Sequence, residues 1–207
     1  MAPESPWPVI HAERRALIAD LQGLSPEQWD APSLCAEWTV RQVLGHVTAT
    51  ARMTPGRFVG HFAASGFRFH RMVATDVRAE TAGSPQDQLA ALAALADAST
   101  APPGPVEAML GEIVIHGQDI RRPLGIVHAP PTVAVVRVAD FYRSSNLLIG
   151  AQRRIAGVRL SATDTDWTTG DGPEVSGPVL SLLMLMVGRT PSPDVRGPGL
   201  ARIVPGP

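Results

Sequence analysis

Glu112 and His116 stand four residues apart in the run GEIVIHGQDIRRPLG, and His46 lies in the earlier run EWTVRQVLGHV. Residues at i and i+4 share one face of a helix, so Glu112 and His116 can grip one ion without bending the chain. His46 on a neighbouring helix would complete a set of two imidazoles and a carboxylate. Three such donors leave one coordination position open, which separates a catalytic metal centre from a structural one. The set suits zinc and leaves iron, nickel and manganese open. Glu112 sits in an apolar turn with Leu110, Ile113 and Val114, where a carboxylate drawn out of water favours a cation beside it. Asp119, three residues beyond His116, is placed to orient a ligand imidazole. The competing reading is a helix-surface Glu–His pair, with Asp119 pairing Arg122 or another arginine.

These residues need helices to hold them. Val9 to Leu21 has apolar Ile10, Leu17, Ile18 and Leu21 at helical spacing, and Gly23 and Pro26 end it. Thr39, followed three residues later by Gln42, forms a capping box. It opens a helix in which Val40, Val43, Leu44 and Val47 repeat at helical spacing, leaving His46 on the edge of the buried stripe. Phe58 to Val77 reads as a helical stretch weakened at Gly66. Ser84-Pro85 supplies a cap and a first-turn proline for the next helix. After the cluster Pro102 to Pro105, Val106 to Arg121 carries Glu112 and His116 and stops near Pro123 and Gly125. Pro130-Pro131 starts a helix expected to run to about Arg154.

Beyond it the pattern changes. Gly157 to Thr163 alternates like a strand, Trp167-Thr-Thr continues it, and Gly170-Asp-Gly-Pro turns towards a short return strand at Glu174-Val175. Gly177 to Val187 reads as a very apolar helix, and Leu200 to Val204 as an edge strand. The expectation is a mainly α chain: a four-helix bundle with short Pro/Gly loops over residues 1–150, and a small α+β unit over residues 151–207.

Composition narrows the partners. The net charge of −1 provides no bulk basic field, which counts against nucleic acid or an anionic membrane as the main partner. All 18 basic residues are Arg, so Schiff-base and lysine-base chemistry are excluded. Cys35 is the single cysteine; an intrachain disulfide, a CxxC redox pair and a Cys-rich zinc site are therefore excluded. The start, MAPESPWPVI, lacks a basic region followed by an apolar stretch and does not read as a secretory signal. The longest apolar run, Val179 to Val187, is about half of the roughly 20 residues that span a bilayer. A soluble cytoplasmic protein is expected.

The runs LCAEWTVRQVLGHV and EIVIHGQDIRRPLG together resemble the mycothiol-dependent maleylpyruvate isomerase family. GVRLSATDTDWTTGDGPEVSGP and the apolar helix ending in VGR resemble the family's C-terminal unit, so the likeness covers nearly the whole chain. It implies a DinB-like four-helix bundle followed by a small α/β domain. It also implies a divalent metal, zinc in the isomerase, bound through His46, Glu112 and His116, with mycothiol as the thiol cofactor. The family's catalytic arginine maps to Arg189, with Arg159 as competitor. Gln42 stands where many relatives have an acidic residue. The implied chemistry is addition of a metal-stabilised thiolate to a small electrophile. Addition, bond rotation and elimination isomerise a cis double bond; retention of the thiol is S-transfer. An arginine would hold a substrate carboxylate. The motifs fit both reactions.

A different class of function is a DinB-like metal-binding or regulatory module without thiol-transfer activity, since fold does not fix function. A purely structural bundle without metal is the third reading. Either a monomer or a homodimer fits.

The remaining chemistry-bearing residues read as structural. Cys35 fits a small buried hydrophobe. Trp38 is expected as an anchor beside the cap, and Trp29 and Trp167 as core or interdomain packing. His11, His61 and His128 read as surface, and His70 as a partly exposed structural histidine. Arg121-Arg122 fits helix-dipole stabilisation, and Asp164 and Asp166 fit a turn.

Overall fold

Proline, glycine and side-chain caps set the ends of most of the helices. The computed structural model of the chain describes residues 4–36, 38–146 and 149–203. They form two compact units, Met1–His128 and Ala129–Pro207. The division thus falls after His128, whereas the sequence suggests one near residue 150.

The first unit is helical: α1 (Trp7–Leu21), α2 (Pro26–Trp29), α3 (Val40–Ala51), α4 (Pro55–Ala64), α5 (Phe69–Glu80), α6 (Pro85–Ala93) and α7 (Val106–Arg121). Four of them close a ring, α1 on α7, α7 on α3, α3 on α6 and α6 on α1, and α5 packs on α3. The core of this bundle contains Ile10, Leu17, Leu21, Leu44, Leu92, Leu110 and Ile113, each at most 2% exposed. The expected box starts α3: Thr39 N donates to Gln42 Oε1 at 2.9 Å, and Gln42 N to Thr39 Oγ1 at 3.3 Å. Gln42 is therefore engaged by the cap. Ser25 and Gln28 form a second such box and start α2, a four-residue helix too short to show a periodic pattern in the sequence. The single stretch expected over Phe58 to Val77 is two helices. Gly66 and Phe67 both take positive φ, 66° and 59°, a left-handed conformation that ends a right-handed helix.

The second unit contains α8 (Thr132–Arg143), α9 (Ala151–Arg154), β1 (Arg159–Ala162), β2 (Thr168–Thr169), β3 (Glu174–Gly177), α10 (Val179–Met186) and a 3-10 turn, η1 (Pro198–Arg202). The helix expected to reach Arg154 stops at Arg143. Ser144 bonds back to the carbonyls of Asp140 and Phe141. The Asn146 side chain accepts from Arg153 N, and Gly150 is left-handed at φ 69°. Such side-chain bonds compete with helical ones. Leu147 and Leu148 lie outside the described residues.

The sheet order is β2-β1-β3, with β1 antiparallel to β2 and parallel to β3. Its parallel register pairs Leu160 with Val175, and both are fully buried. α10 packs on α8, β1 and β3. The edge strand expected over Leu200 to Val204 is absent from the described part, where η1 occupies Pro198–Arg202; Val204 lies outside the described residues. Instead, Arg196 makes an isolated bridge with Ser176. Gly199 lies against β3, where a Cβ would stand 2.5 Å from Pro173 O. This close approach favours the tight turn over a second pleated edge.

Trp167 is 6% exposed and donates from Nε1 to Asp140 Oδ1 at 3.1 Å. Asp164 caps α10 by accepting from Val179 N at 2.9 Å, a role beyond turn formation. Gly170, at φ 75°, sits where a Cβ would collide with the carbonyl oxygen of Val158. Gly170→Ala should lower the stability of this unit by roughly 1–3 kcal/mol, from left-handed strain alone; urea unfolding read through Trp167 fluorescence, in a background where Trp7, Trp29 and Trp38 are replaced by Phe, measures it. Among the described residues no helix is long and apolar enough to cross a membrane.

Candidate functional site

α3 packs along α7, and the contact joins the three residues singled out by spacing. Val43 is fully buried and Val47 is 3% exposed, so His46 emerges at the edge of that face with its side chain 15% exposed. On α7, Glu112 and His116 present side chains 28% and 12% exposed. His46 Nε2 lies 2.9 Å from Glu112 Oε2, and His116 Nε2 lies 3.4 Å from the same oxygen. The imidazoles meet edge to face, with ring centroids 4.9 Å apart. One donor atom from each residue lies within 4.8 Å of the others.

The electrostatics follow from this crowding. Burial disfavours a charged Glu112, but the charge on His46 and hydrogen bonds from His116 and His46 outweigh it. Its carboxyl is held far below the usual carboxylate range. Burial likewise opposes a charged His116. Hydrogen bonds to Asp119 and Glu112, with the charges of both, prevail and raise its pKa to about 9. A cation entering between these three residues competes with protons, so uptake releases them.

His116 Nδ1 donates to Asp119 Oδ2 at 2.8 Å. The Asp119 side chain is fully buried, so this bond is shielded from water and sets the ring orientation. It is the partnership the i+3 spacing suggests. Arg122 donates from Nε to Gln118 Oε1. Asp119→Asn, which keeps the shape and removes the charge, should weaken divalent-metal affinity by about 10–100-fold; competition against a chelating dye would measure it.

The sequence suggests structural roles for two neighbours of the site. The Trp38 ring centroid lies 5.1 Å from that of His46, so the residue beside the cap also walls the site. Cys35 is half-buried, and its Sγ falls within 4.8 Å of donor atoms of His116 and Asp119. No periodic signal joins position 35 to position 119. The link is a tertiary hydrogen bond, Leu34 N to Asp119 O at 3.0 Å.

Other expectations change. Arg121 does more than complement a helix dipole: its side chain is fully buried, and Nε donates to Asp20 Oδ2 at 2.6 Å. His128 bonds Glu13 Oε2 at 2.8 Å, and His61 bonds Asp76 Oδ1 at 2.8 Å. His11 stacks on Trp7, and His70 is exposed. Trp29 is 4% exposed within its own unit.

The two candidate arginines belong to the second unit. Arg159 is exposed on β1. Arg189 is half-buried just after α10; its backbone N donates to Met184 O, and Nη1 donates to Val187 O at 3.2 Å. Arg154 donates to the neighbouring Met186 O at 2.8 Å. Burial, and then the charge of Arg189, lower the Arg154 pKa.

Residues 10–103 match the model of the mycothiol maleylpyruvate isomerase N-terminal domain. The crystal structure of the mycothiol-dependent maleylpyruvate isomerase is similar in fold. It is 17% identical, with a TM-score of 0.67 over 97% of this chain and 94% of that chain. A histidine-to-alanine mutant of that isomerase gives 16% identity with the same TM-score and coverage. At such identities the likeness is one of fold. No curated protein sequence matches the chain significantly. Over residues 10–103, within its helical N-terminal unit, the chain is thus similar to the mycothiol maleylpyruvate isomerase N-terminal domain.

Proposed function

We propose that this protein is a metal-dependent enzyme that uses mycothiol for isomerisation or S-transfer on a small electrophile. His46, Glu112 and His116 would hold the divalent cation, zinc by the chemistry of the donors. The observation that carries this reading is their convergence within 4.8 Å, on two packed helices, of which α3 lies within the stretch similar to the mycothiol maleylpyruvate isomerase N-terminal domain. Two imidazole nitrogens and one carboxylate oxygen suit a three-ligand centre with an open position. A bound cation supplies the positive charge that stabilises the thiolate form of a small thiol.

The chain's own residues set the conditions for that chemistry. Asp119 fixes the His116 ring through Nδ1, which turns Nε2 towards Glu112. Glu112 stays ionised because two imidazoles face it. Trp38 packs beside His46. Arg189 is the residue we assign to a substrate carboxylate, which a guanidinium can bind through paired hydrogen bonds. Its bond to Val187 O also suits a helix-capping role. Arg189→Lys separates the two roles. Substrate binding predicts a raised KM for a carboxylate substrate and little change for an uncharged one. Capping alone predicts lower stability with both KM values preserved.

The test is a thiol-dependent assay of metal-loaded protein with mycothiol, using maleylpyruvate and a panel of uncharged electrophiles. Saturable, mycothiol-dependent formation of fumarylpyruvate identifies the isomerase, and accumulation of a thioether identifies the transferase. A protein that binds one equivalent of metal but turns over none of these is the non-catalytic module. Failure to bind metal or mycothiol overturns the reading.

A further inference from the structure

We propose that Cys35, His116 and Asp119 form a second cation site, selective for thiophilic divalent metals such as cadmium, which competes with the first donor set for His116. Occupancy of this second site stands on its own geometry; only the competition rests on the metal reading above.

One donor atom from each of the three residues lies within 4.8 Å of the others. They offer sulfur, nitrogen and oxygen. The first set contains no sulfur, and thiolate is the donor that draws soft cations. Asp119 is fully buried and the His116 side chain is 12% exposed, so a cation there would lose much of its water and depend on these ligands.

The position of Cys35 is built by backbone hydrogen bonding. Ser33 N donates to Trp38 O at 3.0 Å, and Trp38 N to Cys35 O at 3.1 Å. The Ser33 hydroxyl donates to Cys35 O and accepts from Cys35 N. Leu34 N then ties this closed turn to Asp119 O on α7. Preorganised donors give up less freedom when they close on an ion.

Competition follows from shared partners. His116 directs Nε2 to Glu112 and Nδ1 to Asp119. A cation bound by the Asp119 carboxylate weakens the bond that orients the ring for the first set. It also engages the imidazole both sets need. The thiol proton passes to solvent as the sulfur–metal bond forms.

Cys35 is the chain's single cysteine, so thiolate-to-cadmium charge-transfer absorption reports on this site alone. The experiment titrates the folded full chain and its His46→Ala, Cys35→Ser, Asp119→Asn and His116→Ala variants with cadmium at several protein concentrations. The parent and His46→Ala should develop the band at one equivalent, independent of protein concentration. Cys35→Ser should show no band, and Asp119→Asn should need about tenfold more cadmium. Zinc preloading should raise the cadmium midpoint in the parent and not in His46→Ala.

Absence of the band in the parent overturns the site. So does a band that requires two chains per ion, or one whose midpoint neither Asp119→Asn nor His116→Ala shifts. Zinc uptake unchanged by His46→Ala, with the cadmium band present, would overturn the first site and leave this one standing. Loss of zinc uptake in His46→Ala with no cadmium band in any variant does the reverse.

Discussion

His116→Ala should abolish stoichiometric divalent-cation uptake and lower mycothiol-dependent turnover by at least about 100-fold. Changes to residues that merely orient a ligand cost about 10–100-fold in affinity or activity, and loss of a ligand should cost more. His116 is the junction of the site. It approaches Glu112 at 3.4 Å on one side and bonds Asp119 at 2.8 Å on the other. Its removal leaves two donors and an Asp119 carboxylate buried without its imidazole partner. Metal analysis after gel filtration, with turnover measured on the same sample, checks both parts. Circular dichroism separates loss of the site from loss of the helices. A folded His116→Ala protein that retains one equivalent of metal would refute the assignment. The same measurements with zinc on His46→Ala should show the loss of zinc with less disturbance of α7, because His46 projects from α3.

Arg121→Met should destabilise the first unit by about 3–5 kcal/mol, the range for breaking a buried ion pair from one side. The Arg121 side chain is fully buried between Asp20, at 2.6 Å, and Glu13, at 3.8 Å. Glu13 is itself 5% exposed and bonds His128. Without the guanidinium, the Glu13 carboxylate remains in the interior with His128 as its partner. Gly117 makes room for the arrangement: a Cβ there would stand 2.8 Å from Arg121 Nη1. Urea unfolding supplies the measurement. Adding Glu13→Leu to Arg121→Met should recover part of the loss, since apolar replacement of both partners is often tolerated. A single-variant loss below about 1 kcal/mol, or a double variant less stable than the single one, contradicts the account.

This network shows where sequence patterning stops. From the sequence, Arg121 and Arg122 are equivalent cations at a helix end. In the structure Arg122 bonds Gln118 on its own helix, whereas Arg121 points inward to two acids on α1. The distinction arises because α7 is buried on most of its circumference between α1 and α3. A helix packed on two sides has no simple polar face, and periodicity cannot assign its charges. The break between α4 and α5 is a related case. Gly66 marks a weakness in the sequence, but the left-handed conformation of Phe67 is unexpected for a residue with a Cβ.

Local chemistry determined much of the rest. Thr39 and Gln42 define the start of α3, Ser84 and Pro85 that of α6, and the Pro/Gly runs separate the helices. The i to i+4 spacing places Glu112 and His116 together on any helix that forms, and the i to i+3 spacing supplies Asp119. These are short-range geometric consequences of the helix, so they are legible without a fold. The meeting of His46 with Glu112 is different, because 66 residues separate them and only the packing of α3 on α7 brings them together. The approach of Cys35 to Asp119 likewise depends on one backbone hydrogen bond across the chain. By itself the sequence determined the helices, their caps and the donors each could present. Tertiary structure decided which donors converge and which charges are buried, because contacts between distant segments depend on packing, which no local pattern encodes.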